Sequence, residues 1–435
     1  MTTQRFHFAA ALIVGLALLL RIIYQLGADP FTHIAGDIND YVHYAWNLGQ
    51  HGVYSSAPVD PDVTPTADSY RPPGFPLFLL FSMWLAGFSG GWLKVAYTLQ
   101  ILLSSATVLL TILLGREWMK PAYALTAGVL LALWPHHIVF ASTLLSETLL
   151  AFCLMLALWL TTLTERKSSV ALAVGAGLTF GVATLVNSLV LLFPLLLAVA
   201  MLSLRLRKQT AALLATFILL PIAWGLLGPT GDDGTRSNTH RAVVNFVQGA
   251  WPHYHQAWEA RNHDSAAQRI MHKIDMEIEL VSENHRAGVG AIAERMSHEP
   301  ASYLRWYLME KPYLLWDWGI RLGWGGVHFL PTEKTPIERH PVLRLAHNSL
   351  KTLNPGLFFF AGLASAILIF SWVKKRSPPF AGLIVALFVF YVTSLHIALQ
   401  AEPRYSIPYR PEQLLLACSA LSMIINWTIG FIRKA

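Results

Sequence analysis

Two carboxylates three residues apart, Asp37 and Asp40, open the stretch GDINDYVHYAWNLGQHGVY at 36–54. If 37–49 is helical, Asp37, Asp40, Tyr41 and Tyr44 share one face, at i, i+3, i+4 and i+7. A carboxylate held there could take a proton from an acceptor hydroxyl as a general base. The same spacing fits a plainer arrangement, with Asp37 as an N-cap and Asp40 as a solvated acid of the first turn. A second element is Tyr70-Arg71-Pro72-Pro73-Gly74. Its arginine, stiffened by two prolines, could present a planar fork of donors to phosphate, or could simply reach toward lipid headgroups. A third is Glu147 in WPHHIVFASTLLSETLLAF, a lone acid at the mouth of an apolar helix pair. That position suits a functional acid, and it equally suits a helix start capped by Ser146. The fourth is Glu402-Pro403-Arg404-Tyr405, which brings another arginine and, on the plainer view, is an interfacial turn with its own ion pair.

Other chemistry finds little footing. His136 and His137 are adjacent and cannot share a helix face, which argues against a two-histidine metal site. His240, His253, His255 and His263 lack the spacing of a zinc-protease helix. TGDDGT at 230–235 reads as a turn, and no Walker or Rossmann glycine pattern occurs in a strand–helix context. Cys153 and Cys418 both lie in apolar segments, so no disulfide framework is expected.

The elements that must position these residues are membrane helices. Of 435 residues, 54% are hydrophobic and 13% charged, about half the charge of a soluble domain. The fold class expected is an all-α polytopic membrane protein. Candidate spans are 6–26, 93–114, 121–140, 148–163, 169–186, 189–204, 210–228, 355–373, 380–399 and 409–432. The first is too long for a signal-peptide core and reads as a retained span. The run 73–88 is short, proline-rich at its start and followed by glycines, so it reads as interfacial or re-entrant. The positive-inside rule supports that choice. With Arg5 inside and 73–88 not crossing, Arg116/Lys120, Arg166/Lys167, Arg205/Arg207/Lys208, Lys374/Lys375/Arg376 and Arg433/Lys434 all fall on the inner side. The net charge of +7 is therefore an orientation signal, and nucleic-acid binding is not expected.

Three parts follow. Residues 1–228 form a transmembrane module whose external loop, 27–92, carries Asp29, Asp37, Asp40, Asp60, Asp62 and Asp68. Residues 229–354 form an extracytoplasmic loop domain, and 355–435 hold the last spans. Within the loop domain, 266–296 has amphipathic helical spacing. The aromatic-rich HEPASYLRWYLMEKPYLLWDWG at 298–319 fits a helix lying at the membrane surface.

In their order and common sidedness these motifs resemble the GT-C superfamily of integral-membrane glycosyltransferases. The branch is that of the dolichyl-phosphate-mannose protein mannosyltransferases and the bacterial lipid A aminoarabinose transferases. The resemblance is carried by GDINDY with WNLGQHGVY, RPPGFPLFL, LWPHHIVFASTLLSETLL, HEPASYLRWYLMEKPYLLWDW and AEPRYSIPYRP. It implies a GT-C-like bundle of about ten spans with an extracytoplasmic cap. It also implies a polyprenyl-phosphate-sugar donor, inversion at the anomeric carbon and a site facing the periplasm of a bacterial inner membrane. The acceptor would be a protein, lipid A or a glycan. By the same resemblance Asp37 is the catalytic base, with Asp40 second, and Glu147 matches a further functional acid. Arg71, Arg404 and Tyr405 would hold the donor phosphate, while Tyr41, Tyr70 and Glu402 would contact substrate. Tyr70 departs from the pattern: the aminoarabinose transferases have a metal-binding acid there. No cofactor is firmly implied, and a divalent metal is left open. A transporter or flippase of lipid-linked sugars is the competing class, and it would want charge or broken helices near the midplane.

Overall fold

The computed structural model describes residues 1–28, 36–228, 237–319 and 335–432. Asp29, the TGDDGT turn and Arg433/Lys434 lie outside the described residues. Among the described residues every regular element is a helix, and 52–73 is an irregular loop. The first part runs α1 (Thr3–Gly27), α2 (Asp37–His51), α3 (Gly74–Ala86), α4 (Gly91–Arg116), α5 (Pro121–Ala132), α6 (Pro135–Phe140), α7 (Glu147–Lys167), α8 (Val170–Val186), α9 (Phe193–Ser203) and α10 (Arg207–Leu227). The cap follows with α11 (Asn238–Gly249), α12 (Tyr254–Ala260), α13 (Ser265–Glu283), α14 (His285–His298), α15 (Pro300–Arg305), α16 (Lys311–Trp316) and α17 (Pro336–Arg339). The last part is α18 (Pro341–Val373), α19 (Phe380–Ala398), a 3₁₀ segment (Pro403–Tyr409) and α20 (Arg410–Ile432).

Six helices among the described residues are long and apolar enough to cross a membrane: α1, α4, α7, α10, α18 and α19. With these spans the chain is a multi-pass helical membrane protein. Two of the expected spans are broken. The run 121–140 divides before Pro135, because a residue preceding proline is driven to extended backbone, as Trp134 is at ψ 112°. The run 189–204 becomes a 3₁₀ turn (Ser188–Val190) and α9, with Pro194 at the start of the helix. α18 begins at Pro341 rather than at 355 and runs through Pro355. α3, the doubtful segment, has 13 residues, a rise of about 20 Å against a hydrocarbon core of about 30 Å.

The sequence gives α1 one mid-span charge, and packing explains it. Arg21 is fully buried and donates to Ser104 Oγ at 2.7 Å, Ala17 O at 3.0 Å and Ala132 O at 3.3 Å, joining α1, α4 and α5. A buried guanidinium needs such acceptors, since leaving it unpaired costs several kcal/mol.

The apolar side chains bury in three groups. The largest unites α4, α5, α7–α10 and α18–α20. A second lies around α2 and α3, where Ile38, Tyr41, Phe75, Leu79, Trp92, Ile138 and Ile407 pack together. The third belongs to the cap, where Val243, Val247, Ile274, Val281 and Ile292 pack α11, α13 and α14 against one another. α13 and α14 realise the amphipathic 266–296 pattern, divided at Asn284, whose side chain caps α14. At 298–319, α15, a π-helical turn (Trp306–Glu310) and α16 turn Trp306, Leu315 and Trp316 inward and leave Leu304, Leu308, Met309 and Tyr313 exposed.

Candidate active site

α2 begins after Gly36, whose φ of 57° is a left-handed conformation that favours glycine. Gly36 is the N-cap position and makes no side-chain cap, so Asp37 is the first helical residue and its carboxylate is not spent on capping. Asp40 and Tyr41 follow one turn on. Together they face Arg71, the residue before the double proline. Arg71 Nη2 donates to Asp37 Oδ1 at 2.7 Å and to Asp40 Oδ2 at 2.7 Å, and its Nε donates to Asp40 Oδ2 at 2.9 Å. The Tyr70 and Tyr41 rings flank the same guanidinium, with centroids 5.1 and 5.5 Å away.

The other two elements arrive from far along the chain. Arg404, 367 residues from Asp37, donates from Nη1 to Asp37 Oδ2 at 2.9 Å and from Nε to Glu147 Oε1 at 2.7 Å. Asp37 thus bridges two arginines, one to each oxygen. Ser146 stands at the N-cap position of α7 without capping it, and its Oγ accepts from Tyr41 OH at 3.5 Å. Glu147 Oε2 is buried with no hydrogen-bond partner. The side chains of Glu147, Arg71 and Arg404 are 9, 11 and 16% exposed, whereas Asp40 and Asp37 are 26 and 36% exposed. The cluster therefore holds two cations and three carboxylates, with Asp37 on the open side.

Electrostatics follow from this layout. Burial pushes Asp37 upward, but the guanidinium groups of Arg404 and Arg71 outweigh it and hold the carboxyl well below the usual range. Burial disfavours the charged forms of both arginines, yet the facing carboxylates raise Arg71 and Arg404 above their ordinary values. Burial and the neighbouring Glu402 raise the Tyr405 phenol. Glu402 is buried, and its carboxylate accepts from the Arg404 backbone N–H at 2.6 Å, capping the 3₁₀ segment that carries Arg404. Tyr405 OH donates to Gln400 Oε1 at 3.0 Å, and its ring stacks on His396.

A supporting layer escapes a reading by residue type. Asp68 is buried and accepts from Ser56 N and Ser56 Oγ, both at 2.8 Å, from Tyr70 N at 3.2 Å and from Tyr44 OH. Tyr54 OH donates to Arg71 O at 2.9 Å, and the Tyr54 ring stacks on Tyr44. The backbone at 70–71 is therefore fixed to α2, which carries Asp37 and Asp40. The available signal was an acid two residues before Tyr70 in a loop otherwise rich in exposed acids. His136 and His137 also do structural duty, donating from Nε2 to Trp318 O and Ile407 O, both at 2.9 Å. His137 thereby ties α6 to the segment of Arg404.

The donor set does not fit a divalent ion. Asp37, Asp40 and Glu147 direct oxygens at guanidinium groups, and no group of three or more His, Cys, Asp or Glu among the described residues is placed to hold a metal.

The fold is similar to that of a solved membrane oligosaccharyltransferase. One match is to the crystal structure of the Archaeoglobus fulgidus oligosaccharyltransferase in complex with Zn and sulfate. Its TM-score is 0.53 at 16% identity, covering 96% of this chain and 49% of that one. The same enzyme tethered to an acceptor peptide matches with a TM-score of 0.50 at 16% identity. ArnT from Cupriavidus metallidurans bound to undecaprenyl phosphate aligns more loosely, with a TM-score of 0.40 at 15% identity over 89% of this chain and 77% of that one. The chain spans about half the length of the oligosaccharyltransferase it matches. No protein-family model and no curated protein sequence matches it.

Proposed function

We propose that the protein is a glycosyltransferase that moves a sugar from a polyprenyl-phosphate donor to an acceptor hydroxyl on the outer face of the membrane, with inversion at the anomeric carbon. The observation that supports this most is the meeting of Arg71 and Arg404 over Asp37. Two rigid guanidinium forks beside a carboxylate suit a reaction whose leaving group is a phosphate and whose nucleophile is a hydroxyl. The donor's lipid tail stays in the bilayer, so its phosphate reacts at the membrane surface.

In this reading the acceptor oxygen attacks the anomeric carbon from the side opposite the phosphate. Its proton passes to Asp37. The bond from carbon to phosphate oxygen breaks, and the electron pair leaves with the phosphate, whose charge Arg71 and Arg404 stabilise. The phosphate departs as an anion and needs no general acid. Tyr70, which flanks Arg71 and is half-buried, offers a ring face to the sugar, whereas Tyr41 is buried beneath the guanidinium and supports Arg71 instead of touching substrate. Glu147 orients Arg404, and Glu402 fixes the backbone from which Arg404 projects. The acceptor class is a protein, lipid A or another glycan, and the setting is a bacterial inner membrane with the site toward the periplasm.

The test is transfer of label from a polyprenyl-phosphate sugar by the purified protein in detergent. Asp37→Asn should abolish transfer while the protein still folds, with some fall in melting temperature from the lost ion pairs; normal turnover would sink the assignment of the base. Arg71→Ala should impair donor use far more than acceptor use. Movement of labelled lipid across vesicles without any transfer of sugar would favour a flippase instead.

A further inference from the structure

We propose that the donor uncovers its own base: the donor phosphate displaces Asp37 from Arg71 and Arg404, while Asp40 and Glu147 stay in place as anchors of the two guanidinium groups. This rests on the reading of the site as a donor-phosphate clamp.

The pattern of nitrogens carries the argument. Both arginines point Nε at an anchor, Arg71 at Asp40 and Arg404 at Glu147, at 2.9 and 2.7 Å. Both give a terminal nitrogen to Asp37, at 2.7 and 2.9 Å; on Arg71 that nitrogen is shared with Asp40 at 2.7 Å, whereas on Arg404 it goes to Asp37. Asp37 is therefore the one carboxylate that meets terminal nitrogens of both arginines, where phosphate oxygens would bind, and Asp40 keeps hold of Arg71 when Asp37 leaves. It is also the most exposed of the three carboxylates, at 36% against 26% for Asp40 and 9% for Glu147. A ligand entering from the open side meets Asp37 first. The cluster already has more anions than cations, so an incoming phosphate is accommodated best if one carboxylate gives way. With both oxygens bonded to guanidinium groups, resting Asp37 is a poor proton acceptor. Once released it regains basicity beside the bound donor. The donor must then bind before the acceptor hydroxyl can be activated. Asp40 and Glu147 act through the arginines and are positioning residues, whereas Asp37 is the catalytic one.

Binding of undecaprenyl phosphate, which lacks the sugar, to the full-length protein in detergent tests the exchange. Asp37→Asn removes the competing charge but keeps the shape, so it should bind the probe about tenfold more tightly while losing transfer. Asp40→Asn and Glu147→Gln loosen the anchors, so each should bind it about tenfold more weakly, with donor KM rising more than kcat falls. If the wild-type protein does not bind the probe, the phosphate-clamp reading itself fails. If it binds, but Asp37→Asn binds no tighter, the exchange is wrong and the clamp stands. Should Asp37→Asn not fold, the anchor variants decide alone. A purely competitive role for all three carboxylates makes both anchor variants bind more tightly, which overturns the proposal.

Discussion

Asp68→Asn makes a sharp test of how the site is held, because the substitution hardly changes shape. Oδ1 of Asp68 accepts from Tyr70 N at 3.2 Å and from Tyr44 OH, while Oδ2 accepts from Ser56 N and Ser56 Oγ at 2.8 Å each. An asparagine must point its NH₂ at one side or the other. Either choice faces a backbone N–H, from Tyr70 or from Ser56, and a backbone N–H cannot accept. The NH₂ turned toward Tyr70 costs less, because Tyr70 N also donates to Tyr44 OH at 3.1 Å. The hydroxyls of Ser56 and Tyr44 can rotate to accept from the NH₂, so the loss is concentrated in one backbone bond and in the charge on the others. Hydrogen bonds to charged groups contribute about 1.5–3 kcal/mol each, and Tyr70 N keeps an acceptor in Tyr44 OH. The latch between 54–56 and 70–71 should therefore weaken by roughly 3 kcal/mol. Local opening of the loop limits how much of this reaches global stability. The expected result is a donor KM at least about tenfold higher, with a smaller loss in kcat and a modest fall in melting temperature. Kinetics with a labelled donor beside thermal melting in one detergent provide the assay. Unchanged donor KM and melting would refute the claim that Asp68 positions Arg71.

Other expectations follow from the same geometry. Asp37 is held below an ordinary aspartate value of about 3.9, so its pairing stabilises the fold fully above about pH 5 and the contribution is lost as pH falls through the depressed value. If the donor draws the arginines away, the acid limb of kcat should lie at higher pH than that of kcat/KM, which reports the free enzyme; coincident limbs would count against release of Asp37. Gly249→Ala would place a Cβ 2.4 Å from Leu399 O and 2.7 Å from Gln400 N, just before the segment of Arg404. Overpacking of this kind costs about 1–3 kcal/mol, and a drop in donor affinity with the cap still folded, as judged by limited proteolysis, is the expected readout. Lys311 is buried, donates to Gly249 O at 3.0 Å, and has its ammonium lowered by burial to about 7. The unfolded chain, with a lysine near 10.4, binds the extra proton between those values, so stability rises with pH from about 7 to about 10. Lys311→Met should flatten that rise in melting temperature, and an identical slope in the variant would contradict the burial of the amine.

The sequence by itself determined the membrane class and the short α3, because apolar run length and basic-loop bias are local properties of the chain. It also placed Asp37, Asp40, Tyr41 and Tyr44 on one helical face, since helical spacing depends only on neighbours a turn away. Breaks at Pro135 and Pro194 were in the sequence too, but the surrounding apolar runs concealed them. What only the tertiary structure decided is partnership. Asp37 could have capped its helix, Arg71 could have met lipid, and Glu147 could have been a helix-start acid. Packing instead brings Arg404 across 367 residues to Asp37 and across 257 to Glu147. That convergence turns four separately ambiguous motifs into one charged cluster. The buried role of Asp68 was illegible for the same reason. An acid in a polar loop looks solvated until Ser56, Tyr44 and Tyr70 are seen closing around it. Ion pairs and buried hydrogen bonds between distant segments leave no periodic mark in a sequence, because they are selected by the packing of whole helices rather than by spacing along one.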